Sequence, residues 1–115
     1  MGVSVGAYLS ALGLTLLIEV PVYAAGLAGL LEVRLLRGMV AGVIVNLVTH
    51  PLSFLLIVPA LQPRIGYWPA LVVVEVAVWP AEALMLYAWL RHDLGTLLGL
   101  SFVANGLSLG IGLLR

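Results

Sequence analysis

The chain has 115 residues, no net charge and no cysteine, and it is 63% hydrophobic and only 9% charged. Soluble domains carry about 25% charged residues, so this composition excludes a fold solvated by water on all sides and points to lipid as the solvent. Zero net charge argues against nucleic acid as a partner, the missing cysteines exclude disulfides and thiolate metal sites, and the length suits one domain, residues 1–115.

A membrane-crossing helix needs about 20 mostly apolar residues. The first such run covers residues 6–31. It follows "MGVSVGAYLSALG", which lacks the basic start of a cleaved signal, so it reads as a retained helix. Inside it lies Glu19, followed by Pro21 and Tyr23. After the break "EVRLLRG", the second run covers residues 38–61 and holds Asn46, Thr49, His50 and Pro51. After "QPRIG", the third covers residues 67–90, opens on Tyr67 and Trp68, and carries Glu75, Trp79, Pro80 and Glu82. After "RHD", the fourth covers residues 94–114 and carries Ser101, Asn105 and Ser108. None of the runs alternates apolar and polar residues, which argues against strands.

Short breaks force neighbouring helices to run antiparallel. The expected fold is therefore all-α: an integral membrane four-helix up-down-up-down bundle with both termini on one side. Arg34, Arg37 and Arg91 share the other side, and the positive-inside rule leans to termini outside. The expected location is a plasma or prokaryotic inner membrane.

The halves look repeated. Glu19-Val20-Pro21-Val22-Tyr23 aligns with Glu75-Val76-Ala77-Val78-Trp79, and Asn46 and Thr49 align with Asn105 and Ser108. Residues 6–61 and 67–114 then form two helical hairpins related by a pseudo-two-fold axis along the membrane normal, an arrangement found in transporters.

Residues three, four or seven apart share a helix face. Each helix therefore has one polar stripe: Thr15, Glu19 and Tyr23; Asn46, Thr49, His50 and Ser53; Glu75, Trp79 and Glu82; Ser101, Asn105 and Ser108. Lipid cannot satisfy such stripes, so they should face one another. At about 1.5 Å of rise per residue, Glu19, His50 and Glu75 reach one level near the midplane, with Glu82, Asn46 and Asn105 nearer the opposite face. A charge at a helix centre costs about 2.5–3.5 kcal/mol on insertion scales. Its presence suggests a role in binding.

The expected function is proton-coupled or cation-selective transport through a cluster of Glu19, Glu75, His50, Glu82, Asn46 and Asn105, supported by Tyr23, Trp79, Thr49 and Ser108. An alternative is a membrane-embedded metal protein or enzyme, with Glu19, His50 and Glu75 as ligands. No H-E-x-x-H is present and an enzymatic role is the lesser expectation; no cofactor is specified, and haem fits poorly because the second histidine, His92, falls in a loop. A third alternative is a structural or assembly subunit, with Gly6, Gly13, Gly106, Gly110 and Gly112 allowing close helix contact. Glu82 has a bland alternative too, pairing with Arg91 or reaching outward.

In size, helix number and the early membrane glutamate within "IEV", the chain resembles the small multidrug resistance transporters. Glu75, Glu82 and the mid-membrane histidine depart from that family. One four-helix chain is too small to enclose a solute path, so the expected partners are the lipid bilayer together with a homo-oligomer or other membrane subunits.

Overall fold

A computed structural model describes residues 5–91 and 93–114, the last two of these as backbone only. His92 and Arg115 lie outside the described residues. Four helices long and apolar enough to cross a membrane follow one another: α1 (Val5–Leu31), α2 (Leu35–Ile65), α3 (Tyr67–Leu90) and α4 (Leu94–Leu114). They run up, down, up and down. Each packs on its chain neighbours, and α4 closes the ring by packing on α1.

The turns explain why the helices stop where they do. A residue in left-handed conformation ends a helix by redirecting its last N–H groups. Glu32 and Arg91 both have φ 57° and play this part for α1 and α3. Val33 N–H then donates to the Leu27 carbonyl at 3.1 Å, and Arg91 N–H donates to the Tyr87 carbonyl at 2.9 Å. Gly66, at φ 90°, is the whole connection between α2 and α3. Only a residue without Cβ takes that conformation readily.

The second helix is longer at both ends than its apolar run. It begins at Leu35 and continues through Gln62, Pro63 and Arg64 to Ile65. Proline fixes φ near the helical value, so Pro63 does not itself stop the helix; Gly66 does. Of Pro21, Pro51 and Pro80, only Pro51 adjoins a break in α geometry. Residues Leu52–Ile57 form a π-helical segment between two α segments, Leu35–Pro51 and Val58–Ile65. Pro51 and Pro59 flank it. Neither has an N–H to give, and the wider π turn reroutes the bonding between them.

Glycine matters in α2 rather than in α4. A Cβ at Gly38 would lie 3.1 Å from the Cα of Ala24, and one at Gly42 would lie 3.3 Å from the Cα of Val20. This G-x-x-x-G lets the backbones of α1 and α2 approach closely. At Gly6, Gly13, Gly106, Gly110 and Gly112 a Cβ would meet nothing within 4 Å, so among the described residues these glycines make no close contact.

Asp93 caps α4. Its carboxylate accepts the Thr96 hydroxyl at 2.8 Å and the Gly95 N–H at 3.3 Å. Those donors, Thr96 first, hold its pKa below the ordinary 3.8. A group with a depressed folded pKa stabilises above its ordinary value and loses that contribution as pH falls through the folded one. Asp93→Ala is therefore expected to lower the melting midpoint at neutral pH, with the difference closing on acid titration. Circular dichroism melts in detergent across that range test this; a difference unchanged at the acid end would contradict it.

The interior is divided along its length. Near the two three-residue turns, Leu27, Leu86 and Leu97 are fully buried among Ala41, Ala83 and Ala104. Towards Gly66 and the termini, polar side chains replace them, and that is where the site lies.

Candidate functional site

All four helices send polar side chains into one cavity of about 160 Å³. α1 contributes Thr15 and Glu19; α2 contributes Asn46, Thr49, His50 and Ser53; α3 contributes Glu75 and Glu82; α4 contributes Asn105 and Ser108. The stripes thus face each other, as lipid exposure would demand. Among the described residues no arginine lines the cavity.

Glu82 is the hub. It is fully buried. Tyr23 donates its hydroxyl to Oε1 at 2.6 Å, and Asn105 donates Nδ2–H to the same oxygen at 3.0 Å. Thr49 donates its hydroxyl to Oε2 at 2.6 Å, with the Val45 carbonyl as a longer alternative at 3.0 Å. Three donors from three other helices therefore converge on one carboxyl group. Glu82 does not reach Arg91, whose guanidinium instead lies over the Tyr87 ring at 5.8 Å from its centre.

Glu19 is equally enclosed, at 2% exposure, but differently served. Ser108 donates to its Oε2 at 2.6 Å. Its Oε1 is buried with no hydrogen-bond partner. Glu75 is half-buried beside the cavity. The three carboxyls so differ in solvation: one saturated with donors, one half satisfied, one left to the cavity itself.

The remaining candidates divide. Asn105 belongs to the hub and is held in place by the carbonyl of Ser101 at 2.9 Å. Asn46 lines the cavity but gives its amide to the Gly42 carbonyl at 2.8 Å, a bond within its own helix. Trp79 turns away: its Nε1–H donates to the Leu98 carbonyl at 2.7 Å and its ring meets Phe102 edge-on. His50 lines the cavity and stacks on Phe54, with ring centres 5.1 Å apart and planes at 6°, while Tyr8 tilts against both. Its Nδ1 is buried without a partner.

One aromatic group lay outside the sequence reading. Phe54 and Tyr8 complete an aromatic wall around His50; the spacing of His50 and Phe54, four residues apart, was the available signal. Ser101, fully buried, ties α4 to α3 by donating to the Trp79 carbonyl at 2.8 Å.

The metal alternative gains no geometry. Among the described residues, no three His, Cys, Asp or Glu side chains are grouped as a metal ion would require, so Glu19, His50 and Glu75 are not drawn into a ligand set. They share a cavity without converging on a point.

Comparison with known protein families, with curated proteins and with solved structures gives no match. The resemblance to small multidrug resistance transporters stays one of size and architecture.

Proposed function

We propose that this chain is a multi-pass membrane protein that moves a small cation in exchange for protons, through the cavity framed by Glu19, Glu75 and Glu82. One observation carries the reading: three carboxyl groups border a single cavity that no arginine lines among the described residues. Burying charge without a counter-charge is costly. Such a cluster lowers its energy by taking up protons or a positively charged guest, and taking up one lowers its hold on the other. An apolar cavity of about 150 Å³ holds benzene, so the volume here suits a small cation rather than a drug-sized one. The aromatic faces of His50 and Phe54 beside the carboxyls suit an organic cation.

The two hairpins act as parallel repeats about an axis along the bundle. Glu32 and Arg91, 59 positions apart (91 less 32), share φ 57° and support this. The same offset pairs buried Ala24 with Ala83, Leu27 with Leu86, Val45 with Ala104 and Asn46 with Asn105. It also pairs Tyr8 with Tyr67 and Pro21 with Pro80. In that register Tyr23 corresponds to Glu82, and these two side chains bond to each other. The correspondence of Glu19 with Glu75 read from the sequence has an offset of 56 (75 less 19), so this register differs from it by three residues. A frame of two similar halves around a central guest suits alternating access. The chain works as a homo-oligomer or beside partner membrane subunits, and Gly106 and Gly110, free of close contacts within the chain, offer the surface for a neighbouring helix.

Proteoliposomes test the reading. Vesicles carrying a pH gradient are given sodium, methylammonium or tetramethylammonium outside, and an internal dye reports proton movement. At least one of these cations should collapse the gradient through the wild-type protein. A response no different from empty vesicles with all three would overturn the proposal.

A further inference from the structure

Every helix divides at one level. Packed core gives way to cavity between adjacent residues in three of them: Val45 and Asn46 in α2, Glu82 and Ala83 in α3, Ala104 and Asn105 in α4. In α1 the change falls between Glu19, which lines the cavity, and Tyr23, which belongs to the core. Among the described residues, no member of the core cluster lines the cavity. The dividing level is the hub itself, where bonds from Tyr23, Thr49 and Asn105 to the Glu82 carboxyl tie all four helices together.

Exposure along the cavity falls towards that level. Tyr67, which lines the cavity at the start of α3, is 42% exposed, and Ala11 and Leu71 are partly exposed. Glu19, Asn46 and Glu82 are at most 2% exposed, and beyond the hub Leu97 and Ala104 are fully buried. A close-packed apolar interior holds no path for a cation. We infer that the cavity is a dead-ended vestibule: a guest enters it from the Gly66 end, and the hydrogen-bonded hub is its floor.

One-ended access stands on the geometry alone. A gating role for the hub rests on the exchange reading and adds to it: the guest is a water-borne cation, and its passage across the bundle requires the bonds to Glu82 to part. A cation arriving along α3 meets Glu75 seven residues, about 10 Å, before Glu82. The first carboxyl is thus a point of entry and the last one a point of closure.

The chain has no cysteine, so introduced thiols report access without background. A thiol reacts as thiolate, which apolar surroundings suppress. The probe is a membrane-impermeant methanethiosulfonate bearing a trimethylammonium group, added outside vesicles, with labels counted by intact mass. Leu71→Cys combined with Arg64→Cys, exposed at the same end, should give chains with two labels or none, whichever way each chain has inserted. Leu71→Cys combined with Arg37→Cys, exposed at the turn end, should give one label per chain. Single labels in the first pair, or two and none in the second, would overturn one-ended access. In detergent, Leu97→Cys and Ala104→Cys lie beneath the floor and should react at least roughly tenfold more slowly than Leu71→Cys, because the state with the floor open is a minor one. Rates like that of Leu71→Cys at both positions would overturn the floor. Adding Tyr23→Phe should raise the two slow rates by roughly fivefold, the worth of one hydrogen bond, and unchanged rates would remove the hub as the gate. If the labels fall as expected while vesicles exchange no protons for cations, the vestibule stands and the transport reading falls. Exchange together with freely reactive Leu97→Cys and Ala104→Cys reverses that outcome.

Discussion

Glu82→Leu is expected to destabilise the folded bundle by roughly 1–3 kcal/mol, the cost of leaving buried donors unsatisfied. The donors do not suffer equally. Thr49 can fall back on the Val45 carbonyl and Asn105 on the Ser101 carbonyl, each already within reach. Among the described residues the Tyr23 hydroxyl makes its one hydrogen bond to Glu82, and Tyr23 is fully buried. Most of the loss should therefore sit on the Tyr23 hydroxyl. Removing that hydroxyl as well, in Tyr23→Phe with Glu82→Leu, is expected to restore most of the stability, because replacing both members of a buried polar pair by apolar groups is often nearly neutral. Unfolding of the two single variants and the double variant in detergent measures the coupling. Single variants whose effects simply add would mean that the short Tyr23–Glu82 bond contributes nothing of its own.

Glu19→Gln is expected to reduce proton-coupled cation movement in liposomes to the level of empty vesicles while leaving the protein folded. Glutamine copies the shape and hydrogen bonding of the protonated acid but has no proton to release. Glu75→Gln should act differently. Its carboxyl is half-buried at the cavity, and in the proposed exchange it would attract the arriving cation. Losing one partly screened attraction should raise the half-saturating cation concentration by roughly tenfold and leave the maximal rate largely intact. Flux measured against cation concentration separates the two effects. Normal coupling in Glu19→Gln would remove this residue from the mechanism.

Much of the fold was legible in the sequence because its determinants are local. Four long apolar runs separated by short charged breaks leave little choice of helix number or direction, and polar stripes at helical spacing announced an interior facing inward. What escaped depends on neighbours far along the chain. Nothing in α3 distinguishes Glu82 from Glu75, since both are glutamates on apolar helices. Glu82 becomes the hub only because Tyr23, Thr49 and Asn105, from three other helices, point at it. Depth counting set Glu82 nearer the opposite face than Glu19, and the two carboxyls line one cavity. The sequence reading singled out Gly6, Gly13, Gly106, Gly110 and Gly112 for close helix contact, yet the pair set close against α1 is Gly38 and Gly42. The sequence reading proposed a repeat through Glu19 and Glu75, the most conspicuous residues. Turn conformation and burial support a different register, which joins Tyr23 to Glu82.

The core of the account is that the carboxyl cluster gives up a proton when a cation takes its place. Proton release can be counted on purified protein in weakly buffered detergent solution, with a pH indicator, as methylammonium or tetramethylammonium is added. The account predicts acidification that saturates with the added cation, approaches one proton per chain, and is lost in Glu19→Gln. No acidification with either cation, or release undiminished in Glu19→Gln, would contradict it.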